Sequence, residues 1–279
     1  MRVLLARAAH IGLMLEIMMK TFMPSLFVSH GAPTIALDDS NAHHFLEKLG
    51  DTVPEPTSIL VVSAHWETDT PHVSNAEIPQ TIYDFYGFPE ALYQMTYPAP
   101  GAPELASKVA SLIEDAGMGP VTSEDRGLDH GAWVPLKLGY PAAKIPVTQL
   151  SIQSHLDPAH HYQLGQALRP LRDEGVLILA SGNLTHNLGE FRGRPLDAPA
   201  PEWVQAFDAW ASWAIAESRI DDLLNYRNRA PEAARNHPTD EHLLPLFVAL
   251  GAGDADQPGR HLHKSYSYGV LAMDAYAFP

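Results

Sequence analysis

The chain has 279 residues, 46% apolar and 18% charged, the composition of a globular protein with a sizeable core. Its formal charge of -15 excludes nucleic acid and an anionic membrane as partners, because phosphate binding needs basic patches. With no cysteine, disulfides and thiolate metal sites are excluded, so a metal must be held by His, Asp or Glu, and 15 histidines are available.

Residues 1–22 stand apart. Arg2 and Arg7 precede the apolar run Ile11-Gly12-Leu13-Met14-Leu15, but Glu16 and Lys20 interrupt it and no small-residue cleavage site follows. The segment is too short to span a bilayer. It reads as an upstream extension, as from a misassigned start, with Met23 opening a domain of residues 23–279 and a cytoplasmic location expected. Leu26-Phe27-Val28-Ser29-His30 is then an apolar strand ending in a histidine before the turn Gly31-Ala32-Pro33. Asp38-Asp39-Ser40 caps a helix through Phe45, Leu46 and Leu49. Ile59-Leu60-Val61-Val62 is a second buried strand, delivering His65 at its C-terminal end.

Residues 71–101 are irregular and aromatic, with Tyr83, Phe85, Tyr86, Phe88, Tyr93 and Tyr97 between prolines. Such a loop is an oligomer surface or the wall of a pocket for a flat apolar ligand, and taken alone it reads first as packing. Helical spacing runs from Pro103 to a stop at Gly117, followed by a glycine-flanked loop around His130. Residues 146–152 alternate as a strand, and Asp157-Pro158 opens a helix through Leu171. Val176-Leu177-Ile178-Leu179-Ala180 is a third strand, running into the loop that carries His186. Residues 202–217 place Trp203, Phe207, Trp210 and Trp213 at helical spacing. Shorter helices follow to Asn236, then the loop His237-Pro238-Thr239-Asp240, and an apolar helix over 242–250. The alternating tail 265–273 closes the sheet. Strands alternating with helices predict an α/β fold: one domain, a central mixed sheet flanked by helices, and a metal site at the C-terminal ends of the strands.

A lone histidine at a strand end is more often a hydrogen-bonded structural residue than a ligand. The set is what points to chemistry: His30, His65 and His186 each follow a buried strand and converge on one sheet edge. His237 lies in a Pro-stiffened loop, and His130 sits where glycines allow close approach to a substrate. Neutral imidazoles suit Fe(II) and Zn(II). The pairs His43-His44 and His160-His161, with His261 and His263, read as solvated. His155 and His242 read as structural, and His72 as an outer neighbour of the site at best. No Gly-rich phosphate loop, zincin motif or nucleophile elbow is present.

Five segments in register carry a family resemblance: Ser29-His30-Gly31-Ala32-Pro33, Ser63-Ala64-His65-Trp66-Glu67, Leu128-Asp129-His130-Gly131, Ser181-Gly182-Asn183-Leu184-Thr185-His186-Asn187 and Asn236-His237-Pro238-Thr239-Asp240-Glu241-His242. From about Met23 onward the chain resembles the DOPA-type extradiol ring-cleavage dioxygenases of the class III superfamily, typified by the protocatechuate 4,5-dioxygenase β-subunit. The resemblance implies a non-haem Fe(II) and a catechol opened by O2 beside its two hydroxyls, with Zn(II) an occupant of the same site on purification. It implies His30 and His65 as metal ligands. His237 stands at the third ligand position, a glutamate in the protocatechuate branch, with Glu241 and Asp240 as carboxylate alternatives. It implies His186 as acid/base, approaching the metal as well in the DOPA-type branch, and His130 as the residue steering substrate or oxygen. The partners implied are a small aromatic diol and O2. No basic cluster marks a carboxylate pocket, single residues such as Arg126 being the candidates. The rival readings are a non-enzymatic metal-binding or redox protein of the same superfamily and a zinc hydrolase.

Overall fold

An eight-stranded mixed sheet runs through the computed structural model, which describes residues 22–279. The extension read at residues 1–22 lies, but for Phe22, outside the described residues. The sheet's centre is four parallel strands in the order β5 (Val147–Ile152), β2 (Ser58–Glu67), β6 (Val176–Gly182) and β1 (Ser25–Ser29). Beyond β1 lie the antiparallel β10 (Ala275–Phe278) and then β7 (Arg260–His263). Beyond β5 lie β3 (His72–Ser74), antiparallel to it, and β4 (Thr122–Glu124), parallel to β3. Residues of β1 and β6 are buried throughout, which explains their continuous apolar runs: a parallel strand covered on both faces has no polar side to alternate with.

Six helices of seven residues or more are described: α1 (Asn41–Glu47), α2 (Pro103–Asp115), α3 (His130–Gly139), α4 (Pro158–Leu168), α5 (Glu202–Ala216) and α6 (Leu244–Ala252). Three of the six, α1, α3 and α4, start at a side-chain cap. The Ser40 hydroxyl accepts from the His43 N–H, and the Asp157 carboxylate from that of His160. Helix α6 is buried all round, packed between α4 and the strands β6 and β1. Each Leu or Phe so buried contributes ~1.5–3 kcal/mol.

Two expectations change. The alternating tail does not close the sheet. Tyr268 and Gly269, both at positive φ, turn it into a separate two-stranded hairpin, β8 (Tyr266–Ser267) with β9 (Leu271–Ala272), and on this side the sheet is completed by β10 with β7 at its edge. The glycine-flanked segment at His130 is not a loop. Asp129 caps α3 by accepting from the Ala132 N–H, so His130 is the helix's first residue.

Register positions the site. Ser63 of β2 is level with Ser181 of β6, which is level with Val28 of β1. β6 and β1 therefore end level with each other, at Gly182 and Ser29, and β2 runs on past them to Glu67, carrying His65 at the sheet edge where open α/β sheets bind ligands.

Candidate metal centre and active-site pocket

His30 leaves β1 with its ring wholly buried, and its tautomer follows from its neighbours. Ser181 Oγ donates its one proton to the Gly131 carbonyl, so at 2.9 Å it accepts from His30 Nδ1–H. His30 Nε2 therefore carries a lone pair, and it faces His65 Nε2 at 3.0 Å. His65 Nδ1 lies 3.6 Å from the Asp84 carboxylate. The third imidazole is that of His242, whose Nδ1–H donates to Glu241 at 2.9 Å, leaving its Nε2 lone pair free. One ligating atom from each of His30, His65 and His242 falls within 4.8 Å of the others. Outer hydrogen bonds that fix tautomer and ring direction are the usual second layer of a histidine metal site.

Electrostatics agree. Burial pushes the His30 and His242 rings well below their ordinary pKa, and neighbouring imidazoles push them further the same way. Burial lowers His65 to about 3, with His130 adding to the effect and Asp84 opposing it. All three are neutral at pH 7, the form that ligates. A donor set of neutral imidazoles without thiolate fits a divalent transition metal such as iron or zinc.

His237 does not join this group. Its Nε2 is bonded to the Leu184 carbonyl at 2.9 Å, and its ring lies among Phe207 and Tyr226. The motif His237-Pro238-Thr239-Asp240-Glu241-His242 holds two histidines five residues apart, and the chain turns the second toward the strand ends. The position expected for His237 is thus occupied by His242, which the sequence reading had set aside as structural. The first half of the motif braces instead. Arg227 donates to the His237 carbonyl and pairs with Asp240, and Tyr226 donates to Asp240 as well. Asp240 is therefore directed away from the three imidazoles.

His186 lies beside the group. Its ring stacks on His242, 3.5 Å between centroids at an interplanar angle of 12°, and its Nδ1 is 3.9 Å from Glu241. Burial lowers it to about 4, Glu241 opposing. His130 stands across the pocket, with Nδ1 donating to Asp84 at 2.9 Å and its backbone N–H donating to the same carboxylate at 2.9 Å. Burial pushes the Asp84 carboxyl upward, but the hydrogen bonds and charge of His130 outweigh it and hold the group low, as carboxylate. His72 pairs with Glu124 on the outer strands and takes no part.

These histidines floor a cavity of about 530 Å³. Phe85, Tyr86 and Phe88 wall it on one side, Leu188, Phe191 and Leu271 on another, with His65, His130, His186 and His242 exposed to it. The aromatic stretch read as packing or pocket wall is both: Tyr97 and Leu92 are buried, while Phe85 packs edge-on against His130. Sequence reasoning missed Asp84 altogether. Its one signal was a lone carboxylate inside an aromatic run, Tyr83-Asp84-Phe85-Tyr86.

Residues 20–279 match the family model described as the catalytic LigB subunit of aromatic ring-opening dioxygenase. The chain belongs to this family, and it is an extradiol aromatic ring-opening dioxygenase. It is 48% identical to 4,5-DOPA dioxygenase extradiol of Beta vulgaris, over 91% of this chain and 96% of that one. It is 42% identical to the protein of the same name from Escherichia coli K12, over 92% and 95% respectively. Among solved structures it is similar to an uncharacterized protein from Escherichia coli K12, with a TM-score of 0.77 and 35% identity, over 92% of this chain and all of that one. Among the described residues no helix is long and apolar enough to cross a membrane.

Proposed function

We propose that the protein cleaves the ring of a DOPA-like catechol with O2, using Fe(II) held by His30, His65 and His242. The observation that carries this reading is the convergence of three neutral imidazoles on the floor of an aromatic-walled pocket. The similarity to enzymes named for 4,5-DOPA supports the substrate class. Iron, when bound, supplies the Lewis acidity and one-electron chemistry that a catechol and dioxygen need to react.

The chain's own part is binding and proton transfer. Phe85 and Phe88, packed edge to face with centroids 5.4 Å apart, form one wall along a flat ring and keep water away from it. His186, neutral at pH 7, takes a proton from a catechol hydroxyl, and Glu241 nearby stabilises the imidazolium that forms. His130, its Nδ1–H fixed on Asp84, presents Nε2 to the pocket. There, with a proton on Nε2, it hydrogen-bonds negative charge as it develops. Asp84 thus acts through His130 rather than on substrate. The location proposed is the cytoplasm, whose reducing conditions suit ferrous iron and a chain that has no cysteine to cross-link.

The test is oxygen uptake by anaerobically Fe(II)-reconstituted protein given L-DOPA, caffeate or protocatechuate, with zinc-loaded protein as control. Iron-dependent uptake with a new visible absorption band is the expected result. Silence across a catechol panel, with iron confirmed in the protein, overturns it in favour of a non-oxygenase member of the family.

A further inference from the structure

Apart from its histidines, the pocket is lined by one ionisable side chain of Lys, Arg, Asp or Glu type, and that is Arg192. It lies in the turn over residues 188–193, directly after Phe191, another lining residue. Among the described residues it has no ion-pair partner. The acid nearest it in sequence, Glu190, is already engaged by Arg235 at 2.8 Å, and Arg194 donates to the Glu190 carbonyl. Arg126, the single basic residue noted from the sequence as a candidate for a carboxylate, is committed elsewhere: it pairs with buried Asp129 and lies over the Trp66 ring. In a chain of formal charge -15, an unpaired guanidinium sets one positive charge in the lining of an aromatic pocket.

Resting on the catechol reading, we propose that Arg192 is a specificity-determining residue that binds an anionic group, a carboxylate, on the side chain of the aromatic diol. The diol faces the histidine floor, the ring lies along Phe85 and Phe88, and the carboxylate reaches the guanidinium at the wall. A planar guanidinium suits this because it meets a carboxylate with two parallel N–H donors. Arg192 is exposed, so the gain is moderate and falls with salt.

The test compares 3-(3,4-dihydroxyphenyl)propionate with its methyl ester, which keeps ring and diol but lacks the charge. Both kcat/KM and anaerobic equilibrium binding by calorimetry are measured, on wild type and on Arg192→Gln and Arg192→Lys. Wild type is expected to favour the acid about tenfold, through KM more than kcat, with the preference shrinking as ionic strength rises. The preference collapses toward one in Arg192→Gln and survives in part in Arg192→Lys. Acid and ester behaving alike in wild type, or a preference unchanged in Arg192→Gln, overturns the proposal. Should neither compound be turned over, the catechol panel above decides the cleavage reading on its own. The binding arm still decides for Arg192: acid preference lost in Arg192→Gln supports it, and binding of neither overturns it.

Discussion

His161 and His30 are equally buried histidines with opposite meanings. His161, on α4, has both ring nitrogens spoken for by its own backbone: Nδ1–H donates to the Asp157 carbonyl at 3.0 Å, and Nε2 accepts from the Gln153 N–H at 3.3 Å. His30 has one nitrogen fixed by Ser181 while the other faces a second imidazole nitrogen at 3.0 Å. Two lone pairs aimed at each other at that distance repel unless a cation or a proton lies between them. Burial says that a histidine is constrained; the direction of its unused lone pair says for what.

Breaking the strand-end group has the largest expected effect. His65→Ala or His242→Ala removes bound iron, read by metal analysis, and takes oxygen uptake to background. His237→Ala sharpens the contrast: it keeps iron and much of its activity but loses ~1–3 kcal/mol of unfolding free energy as the Leu184 carbonyl is orphaned. Iron lost from His237→Ala and retained by His242→Ala would reverse the assignment. Next in size, His186→Ala retains iron and loses ~10²–10⁴ in kcat, the usual worth of a positioned proton acceptor. Loss of the metal along with activity would make it a ligand.

Asp84→Asn comes third, with a loss of ~10–100-fold in kcat at unchanged iron content, typical of removing a carboxylate that orients a functional histidine. The smallest effect belongs to the other region. Burial lowers His161 to about 4, against 6.5 in an unfolded chain. Between those values the unfolded state binds more protons, so stability is lost as pH falls from about 6.5 to 4, by up to ~3 kcal/mol from this residue. Urea unfolding of His161→Gln should show a flatter pH dependence across that window than wild type, and an identical slope would refute the assignment.

The parts legible in the sequence were those that local pattern controls. The strand runs at residues 26–28, 59–62 and 176–180 are unbroken apolar stretches, and they set His30 and His65 at neighbouring strand ends. The third imidazole was not legible, because His237 and His242 share one motif and only the path of the loop separates them. That path depends on Arg227 and Tyr226, which hold Asp240 outward and carry no signal of their own. His161 was misread as solvated since pair spacing says nothing about which face of α4 is covered. His261, also read as solvated, is exposed, but it bonds buried Asp274 at 2.7 Å and stacks on Tyr276, which the sequence did not signal. Asp84 escaped because its partner, His130, is 46 residues further along the chain.

The end of β6 holds a constraint of a different kind. The Asn183 N–H donates to the His242 carbonyl at 2.8 Å, and a Cβ added at Gly182 would land on that same oxygen. His242 therefore keeps its place only while residue 182 has no side chain. A descendant of this chain could lose its chemistry through one methyl group at that glycine and still display every histidine intact. When relatives are sorted into working enzymes and retired ones, a histidine count would miss such a lineage, and the residue at position 182 would reveal it.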